Sequence, residues 1–404
     1  LGTATGFGGT GVVSWDTGSI KTAGFTAVTG TGYFCNTTGG IFTVTLPSSP
    51  SAGDVVGVSD YAKTFDTNNL TLGRNGSNIG GVAADGKLST EGIAVTLVYV
   101  DGTKGWIVTD SGNQSDAPGP VYVAATGGCI TTCGDYKVHT FLSPNTFTVC
   151  TAGNCAGSNS VEYIVVAGGG GGGKNQGGGG AAGGLRDNFP SPATAGLTVT
   201  ASPYAIVTGG GGTTTNNLPG GDGSLSSFST ISSAGGGGGG WDSAGGNSGG
   251  SGGGAGSVQT GGAGNTPSTP CTQGNAGGPS SDPVGAGGGG GKAAVGGTSS
   301  TPTAGNGGIG KTFPTTIATT KGTPGPSPGA YFAGGGGGSA HACGGTHGSG
   351  GAGGGGKGGG SYNAPTTTVG GTVNTGGGGG GNGNNDSAAG TGGSGIVIIR
   401  YKYQ

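Results

Sequence analysis

From residue 168 onward the chain is broken by glycine runs, uninterrupted or nearly so, at 168–173, 177–184, 209–212, 235–240, 249–256, 287–291, 334–338, 353–360 and 376–381. Ordering one residue's backbone costs about 1–2 kcal/mol, and glycine has the most freedom to lose. An isolated Gly/Ser tract therefore stays a flexible linker. Many tracts together have another option. Glycine enters the left-handed polyproline II helix, with three residues per turn and about 3.1 Å rise, whose N–H and C=O groups point outward. With no side chains in the way such helices pack side by side, and each outward amide meets a carbonyl of a neighbour, helped by weak Cα–H···O contacts. The runs thus predict a polyglycine II bundle held by backbone hydrogen bonds in place of buried hydrocarbon. Most runs are four to eight residues long, roughly 12–25 Å at that rise, as rods of one layer should be. The spacers carry apolar and aromatic residues that a solvating linker lacks. A collagen triple helix is excluded because glycine is not held to every third position.

Upstream the pattern is that of short strands. Residues 1–115 alternate β-formers with turn signals, as at 41–46, 54–60, 69–73, 94–100 and 105–110, with Asn75-Gly76 and Asp101-Gly102 between them. A sandwich is expected there, or a module that completes its core by oligomerising. Residues 116–166 begin in a Pro-containing linker and hold four more short strands, read as a small sandwich or wrap. Residues 167–395 form the glycine bundle. The last segment, 396–404, opens with the strand Ile396 to Tyr401, whose natural partner is VEYIVVA just before the first glycine run. The fold class expected is all-β: strand modules, then a polyglycine II bundle clamped by a terminal strand.

Composition sets outer limits. Of 404 residues 113 are Gly and only 7% are charged, so a conventional apolar core cannot serve the whole chain. The net charge of −2, with Lys and Arg scattered singly, offers nucleic acid no electrostatic footprint. No apolar run reaches the roughly 18 residues of a membrane-spanning helix. The chain has no Met, which suggests an excerpt of a longer polypeptide, with an attachment region preceding Leu1. Seven Cys, with spacings Cys129-x3-Cys133 and Cys150-x4-Cys155, lack the tight paired knuckles of a zinc site and point to free thiols or at most local pairing.

Certain passages carry a family resemblance: GYFCNTTGGIFTVTLPSSPSAGDVVGVSDYAKTFDTNNLTLGRNGSNIGG, VTLVYVDGTKGWIVT, VEYIVVAGGGGGG and GGSGIVIIRYK. Together they resemble the glycine-rich tail fibre proteins of marine bacteriophages, especially those infecting cyanobacteria. The glycine-run region is also similar to the receptor-binding adhesin at the tail-fibre tip of some T4-like phages. The resemblance implies a homotrimeric fibre on the virion, joined to other tail proteins, with a β-rich shaft and a distal bundle. Variable loops of that bundle would touch a host receptor, a polysaccharide or an outer-membrane protein. Cys35, Cys129, Cys133, Cys150 and Cys155 depart from the Val, Ser or Thr expected at those positions.

The chemical motifs are thin. Gly305 to Thr312 matches GxxxxGK[ST], but neither the buried strand before nor the helix after a phosphate loop is legible around it. His341, Cys343 and His347 spell HxCxxxH in surroundings that supply nothing to orient metal ligands. His139 sits on an apolar strand and reads as structural. The carboxylates of the glycine region, Asp187, Asp222, Asp242, Asp282 and Asp386, are isolated, so no paired-carboxylate glycosidase is supported. Neither a catalytic constellation, a metal site nor a cofactor is expected. What remains is recognition by spacers 265–283, 311–332 and 361–375 and by short tips at Trp241 and 339–347. Trp241, Phe313, Tyr331, Phe332, His341, His347 and Tyr362 are the candidate contact residues. The competing reading is a secreted glycine-rich filament or matrix protein in which the runs serve cohesion alone.

Overall fold

The computed structural model describes residues 13–404 except 114–120, 155–156, 190–195, 215–218, 282, 319–320, 342–344, 361–366 and 385–387. The chain divides into two compact units, Leu1–Gly119 and Pro120–Gln404. It is all-β, and the single helix among the described residues, Thr315–Ala318, is one turn long.

The first unit contains β1 (Ser14–Lys21), β2 (Phe25–Thr26), β3 (Thr31–Cys35), β4 (Phe42–Thr45), β5 (Val55–Asp60), β6 (Leu70–Gly73), β7 (Gly86–Leu88), β8 (Ile93–Asp101) and β9 (Gly105–Asn113). Successive strands from β1 to β6 alternate between two sheets, and within each sheet neighbours pair in parallel: β1 with β3 and β3 with β5, β2 with β4 and β4 with β6. The chain therefore winds as a two-sheet parallel wrap, closed by antiparallel additions of β7 to one sheet and of β8 and β9 to the other. A sandwich is one expectation; the parallel register is not legible in strands of two to eight residues. The core closes within one chain, around Tyr33, Val58, Phe65, Leu70, Leu97 and Trp106. Asp60 is buried in it and accepts hydrogen bonds from the amides of Thr64, Phe65 and Gly92 at 3.0–3.1 Å, which offsets the loss of water around its carboxylate. Trp15 lies across Gly32 and Gly57, where a Cβ at Gly32 would fall 2.7 Å from its ring.

The second unit unites what reads in sequence as three pieces. Its strands are β10 (Val123–Thr126), β11 (Cys129–Cys133), β12 (Tyr136–Phe141), β13 (Asn145–Ala152), β14 (Ser160–Val166), β15 (Leu185–Asp187), β16 (Leu197–Thr198), β17 (Pro203–Val207), β18 (Ser226–Phe228), β19 (Ile231–Ser233), β20 (Lys311–Phe313), β21 (Ala330–Phe332) and β22 (Ile396–Lys402), with α1 (Thr315–Ala318) between β20 and β21. One sheet runs β10-β13-β17-β18-β19, and a second runs β11-β12-β22-β14-β15. The C-terminal strand β22 does pair with the strand expected, β14, antiparallel from Glu162↔Arg400 to Val166↔Ile396. Its other edge is taken by β12. Val397, Ile399 and Tyr401 face a core shared by the two sheets, with Phe141, Phe147 and Phe228. Ile396 and Ile398 face the opposite way, into a second core with Leu185, Phe189, Phe313, Ile317 and Phe332. Burial on both faces is why β22 opens with four successive aliphatic β-formers, Ile396 to Ile399, with no polar alternation among them.

The glycine runs are polyglycine II rods, and their hydrogen bonds repeat every third residue. In rod 168–173 the amides of Gly168 and Gly171 donate to Ser224 and Gly221, those of Gly169 and Gly172 to Gly393 and Gly390, and those of Gly170 and Gly173 to Ala181 and Gly178. Its carbonyls accept from three further rods, at Gly236 and Gly239, at Gly212, and at Gly379 and Asn382. Rods 177–184 and 334–339 repeat this arrangement with their own neighbours. A helix with three residues per turn presents amides in three directions, so six neighbours in a hexagonal array satisfy every backbone group. Glycine is needed here for lateral space. None of Gly168 to Gly173 has the positive φ that favours glycine, but a Cβ on Gly170 would lie 2.2 Å from the Gly237 carbonyl oxygen, and one on Gly179 would lie 2.0 Å from that of Gly336.

Candidate functional site

The hydrogen-bond registers order the rods end to end. Rod 168–173 leaves β14 and runs away from the sheets, 177–184 returns to β15, and the chain continues to alternate until 390–395 enters β22. Successive linkers consequently fall at opposite ends. At the sheet end lie the strands β15, β16 and β17, the hairpin β18–β19, residues 265–273 and 292–294, the elements β20, α1 and β21, and residues 373–375. At the far end lie 174–176, 241–244, 257–260, 280–281, 283–285, 299–303, 340–341, 345–347, 383–384 and 388–389.

This division separates the sequence candidates. Phe313, Tyr331 and Phe332 belong to the sheet end and are buried, at 1%, 5% and 0% exposure. Phe313 and Phe332 meet edge to face with ring centroids 6.1 Å apart, within the core beneath Ile396 and Ile398. Tyr331 lies against Gly325 and takes the Ser327 amide on its hydroxyl at 3.0 Å. Their expected role in surface contact is corrected: the two-stranded sheet β20–β21 turns these aromatics inward to seal the bundle end. Tyr362 lies outside the described residues.

Trp241, His341 and His347 are brought to the far end, all partly exposed. The tip turns there are bound to one another. The Asp242 amide donates to the Asn175 carbonyl at 2.8 Å, and the His341 amide to the Val284 carbonyl at 2.7 Å. His341 Nδ1 donates to the Gly383 carbonyl at 2.6 Å, and the Ser339 hydroxyl to the Gly177 carbonyl at 2.9 Å. His347 Nδ1 accepts the Ala340 amide at 3.3 Å; burial, aided by Lys357, holds its imidazole below the usual range and hence neutral. Asn175, Gln176 and Asp242 adopt positive φ, which the tight reversal between adjacent rods requires. These turn residues were missed in the sequence; their signal is position, immediately after a glycine run that leads away from the sheets.

The chemical motifs resolve into structure. The GxxxxGK[ST] stretch is a rod whose four glycine amides, at Gly305, Gly307, Gly308 and Gly310, donate to Ala286, Ser349, Gly289 and Ala352 and so do not form a phosphate cradle. Its Lys311 begins a strand and pairs with Asp187 at 2.8 Å. Among the described residues no group of three His, Cys, Asp or Glu side chains is placed to hold a metal; Cys343 lies outside them. His139 is buried, with Nδ1–H donating to the Gly127 carbonyl at 2.7 Å and Nε2 accepting the Tyr401 hydroxyl at 3.0 Å. Cys35, Cys129, Cys133, Cys150 and Cys271 are free thiols. Cys129 and Cys133 are four residues apart on one strand, about 13 Å at strand rise, which a disulfide cannot span. Cys155 lies outside the described residues.

The glycine-rich domain family matches residues 143–402. That is more than half of the chain, and the chain belongs to this family. Its span begins two residues before β13 and ends at the last residue of β22, so the family unit includes the clamping strands together with the rods. A comparison with curated proteins finds no match.

Proposed function

We propose that this chain is the distal region of a bacteriophage tail fibre, a non-enzymatic adhesin that attaches the virion to the host cell surface. The observation that carries the reading is the gathering of loops: a rigid hexagonal lattice collects every second linker at one end, away from the sheets, with Trp241, His341 and His347 among the tip residues. Tyr and Trp give contact area at low entropic cost, and a rigid scaffold spares the loops further ordering on binding. In this reading the fibre is a homotrimer, its opposite end is held by other virion proteins, and the receptor is a surface polysaccharide or an outer-membrane protein. Affinity arises from several weak tip contacts multiplied by fibre valency.

The test is a pull-down of the 404-residue protein on intact cells of candidate cyanobacterial hosts. Host-selective retention that Trp241→Ala weakens by roughly tenfold or more, the scale of an interface anchor, and that Val373→Ser at the sheet end leaves unchanged, supports attachment through the far end. Retention by no host, or equal retention with both variants, rejects it.

A further inference from the structure

We propose that the second unit carries an anion-binding pocket centred on Arg400, where β12 and β14 begin and β22 ends, and that its ligand is a small hydroxylated carboxylate of the uronic-acid kind. The pocket, about 250 Å³, is lined by Tyr136, Ser158, Ser160, Glu162, Arg400 and Lys402, with the backbones of Gly157 and Gly196. That volume is below the range for drug-sized ligands, about 300–1,000 Å³, and suits a molecule the size of one sugar.

Arg400 is only 9% exposed, yet its hydrogen bonding is incomplete. Of its five N–H donors, Nε–H goes to Glu162 at 2.5 Å, and among the described residues no oxygen accepts from the Nη groups. Those nitrogens are not sealed away from solvent, since they are absent from the buried side-chain atoms left without a partner. The guanidinium is held flat by the rings of Tyr136 and Phe189, 4.3 and 4.6 Å from its carbon, so its orientation is set before a ligand arrives. With the Nε side occupied by Glu162, the free edge is the Nη1/Nη2 fork, whose two parallel donors match a planar carboxylate. Arg400 and Lys402 outnumber Glu162 in charge, and the hydroxyls of Tyr136, Ser158 and Ser160 are suited to sugar hydroxyls.

This site is distinct from the far-end loops, and its fate is independent of the attachment reading. The experiment is a calorimetric titration of the 404-residue protein with glucuronate, inorganic phosphate and glucose. Saturable one-to-one binding of glucuronate, with neither phosphate nor glucose matching it, is expected. Arg400→Lys should abolish it while circular dichroism stays unchanged. Arg400→Lys also removes the stacking of the guanidinium on Tyr136 and Phe189, so Glu162→Gln provides the second arm. Removing the competing carboxylate should tighten glucuronate binding by roughly two- to fivefold. Absence of glucuronate binding, preference for phosphate, equal binding of glucose, or a Glu162→Gln variant that binds no tighter would each overturn the proposal.

Discussion

At the scale of single residues the rods and the β layers obey different rules. Gly170→Ala drives a methyl to within 2.2 Å of the Gly237 carbonyl oxygen, and adjacent rods cannot separate without losing hydrogen bonds on several sides. The expected loss is about 3 kcal/mol or more, at or above the upper end for overpacking. Gly210→Ala meets no atom within 4 Å and should change stability by less than about 0.5 kcal/mol. Urea denaturation of the two variants measures the difference. Titratable side chains make a second contrast. Burial pushes the Cys35 thiol up to about 12, so in the native protein it should resist iodoacetamide at pH 8 while exposed Cys129, Cys150 and Cys271 are alkylated. Burial holds His139 below its usual value, so as pH falls the unfolded chain takes up the proton first. The stability present above about pH 6.5 should then decline as pH drops through that value towards the folded one, and His347 adds in the same direction. Unfolding midpoints between pH 8 and 5 should show the fall, and His139→Gln should start less stable but lose less.

At the scale of elements, β22 is the piece on which the second unit depends. It is hydrogen-bonded on both edges and buried on both faces, and it joins the sandwich core to the core that seals the bundle. Ile398→Ala should cost about 2–5 kcal/mol, and limited proteolysis should then open the rods as well as the sheets. The strand itself and its pairing with β14 are legible in sequence because four successive β-branched residues, Ile396 to Ile399, followed by Tyr401, admit little else. Its second partner, β12, is not, since nothing local distinguishes one alternating strand from another as a neighbour. The rods are legible for a similar reason: glycine in such density has few ordered states. The inward placement of the aromatic spacers is not legible because Phe313 and Phe332 sit between glycine runs, as tip loops do. Only the number of rod reversals before them assigns them to the sheet end.

At the scale of the whole molecule, stability is divided between two sources. The first unit and the sandwich bury hydrocarbon, whereas the lattice buries mainly peptide groups paired with one another. Exposure of apolar surface raises the heat capacity of unfolding and exposure of polar surface lowers it. Calorimetry should therefore give this protein a heat-capacity increment per residue below the usual range of about 12–15 cal/mol/K. A value within or above that range would mean that the rods bury more side-chain surface than the lattice implies.

The sequence alone determined the all-β class, the presence of polyglycine II rods and the closing strand, because each follows from local preferences with few alternatives: no Cβ along the rods, β-branched residues in the strands. It also excluded a phosphate loop by the lack of flanking elements. The parallel wrap of the first unit, the fusion of residues 121–166 with the glycine domain, and the assignment of each linker to one end were decided only in three dimensions. They depend on which amide meets which carbonyl between segments far apart in the chain, 224 residues at Gly169 and Gly393, and a glycine rod carries no side chain by which its sequence could name its neighbours.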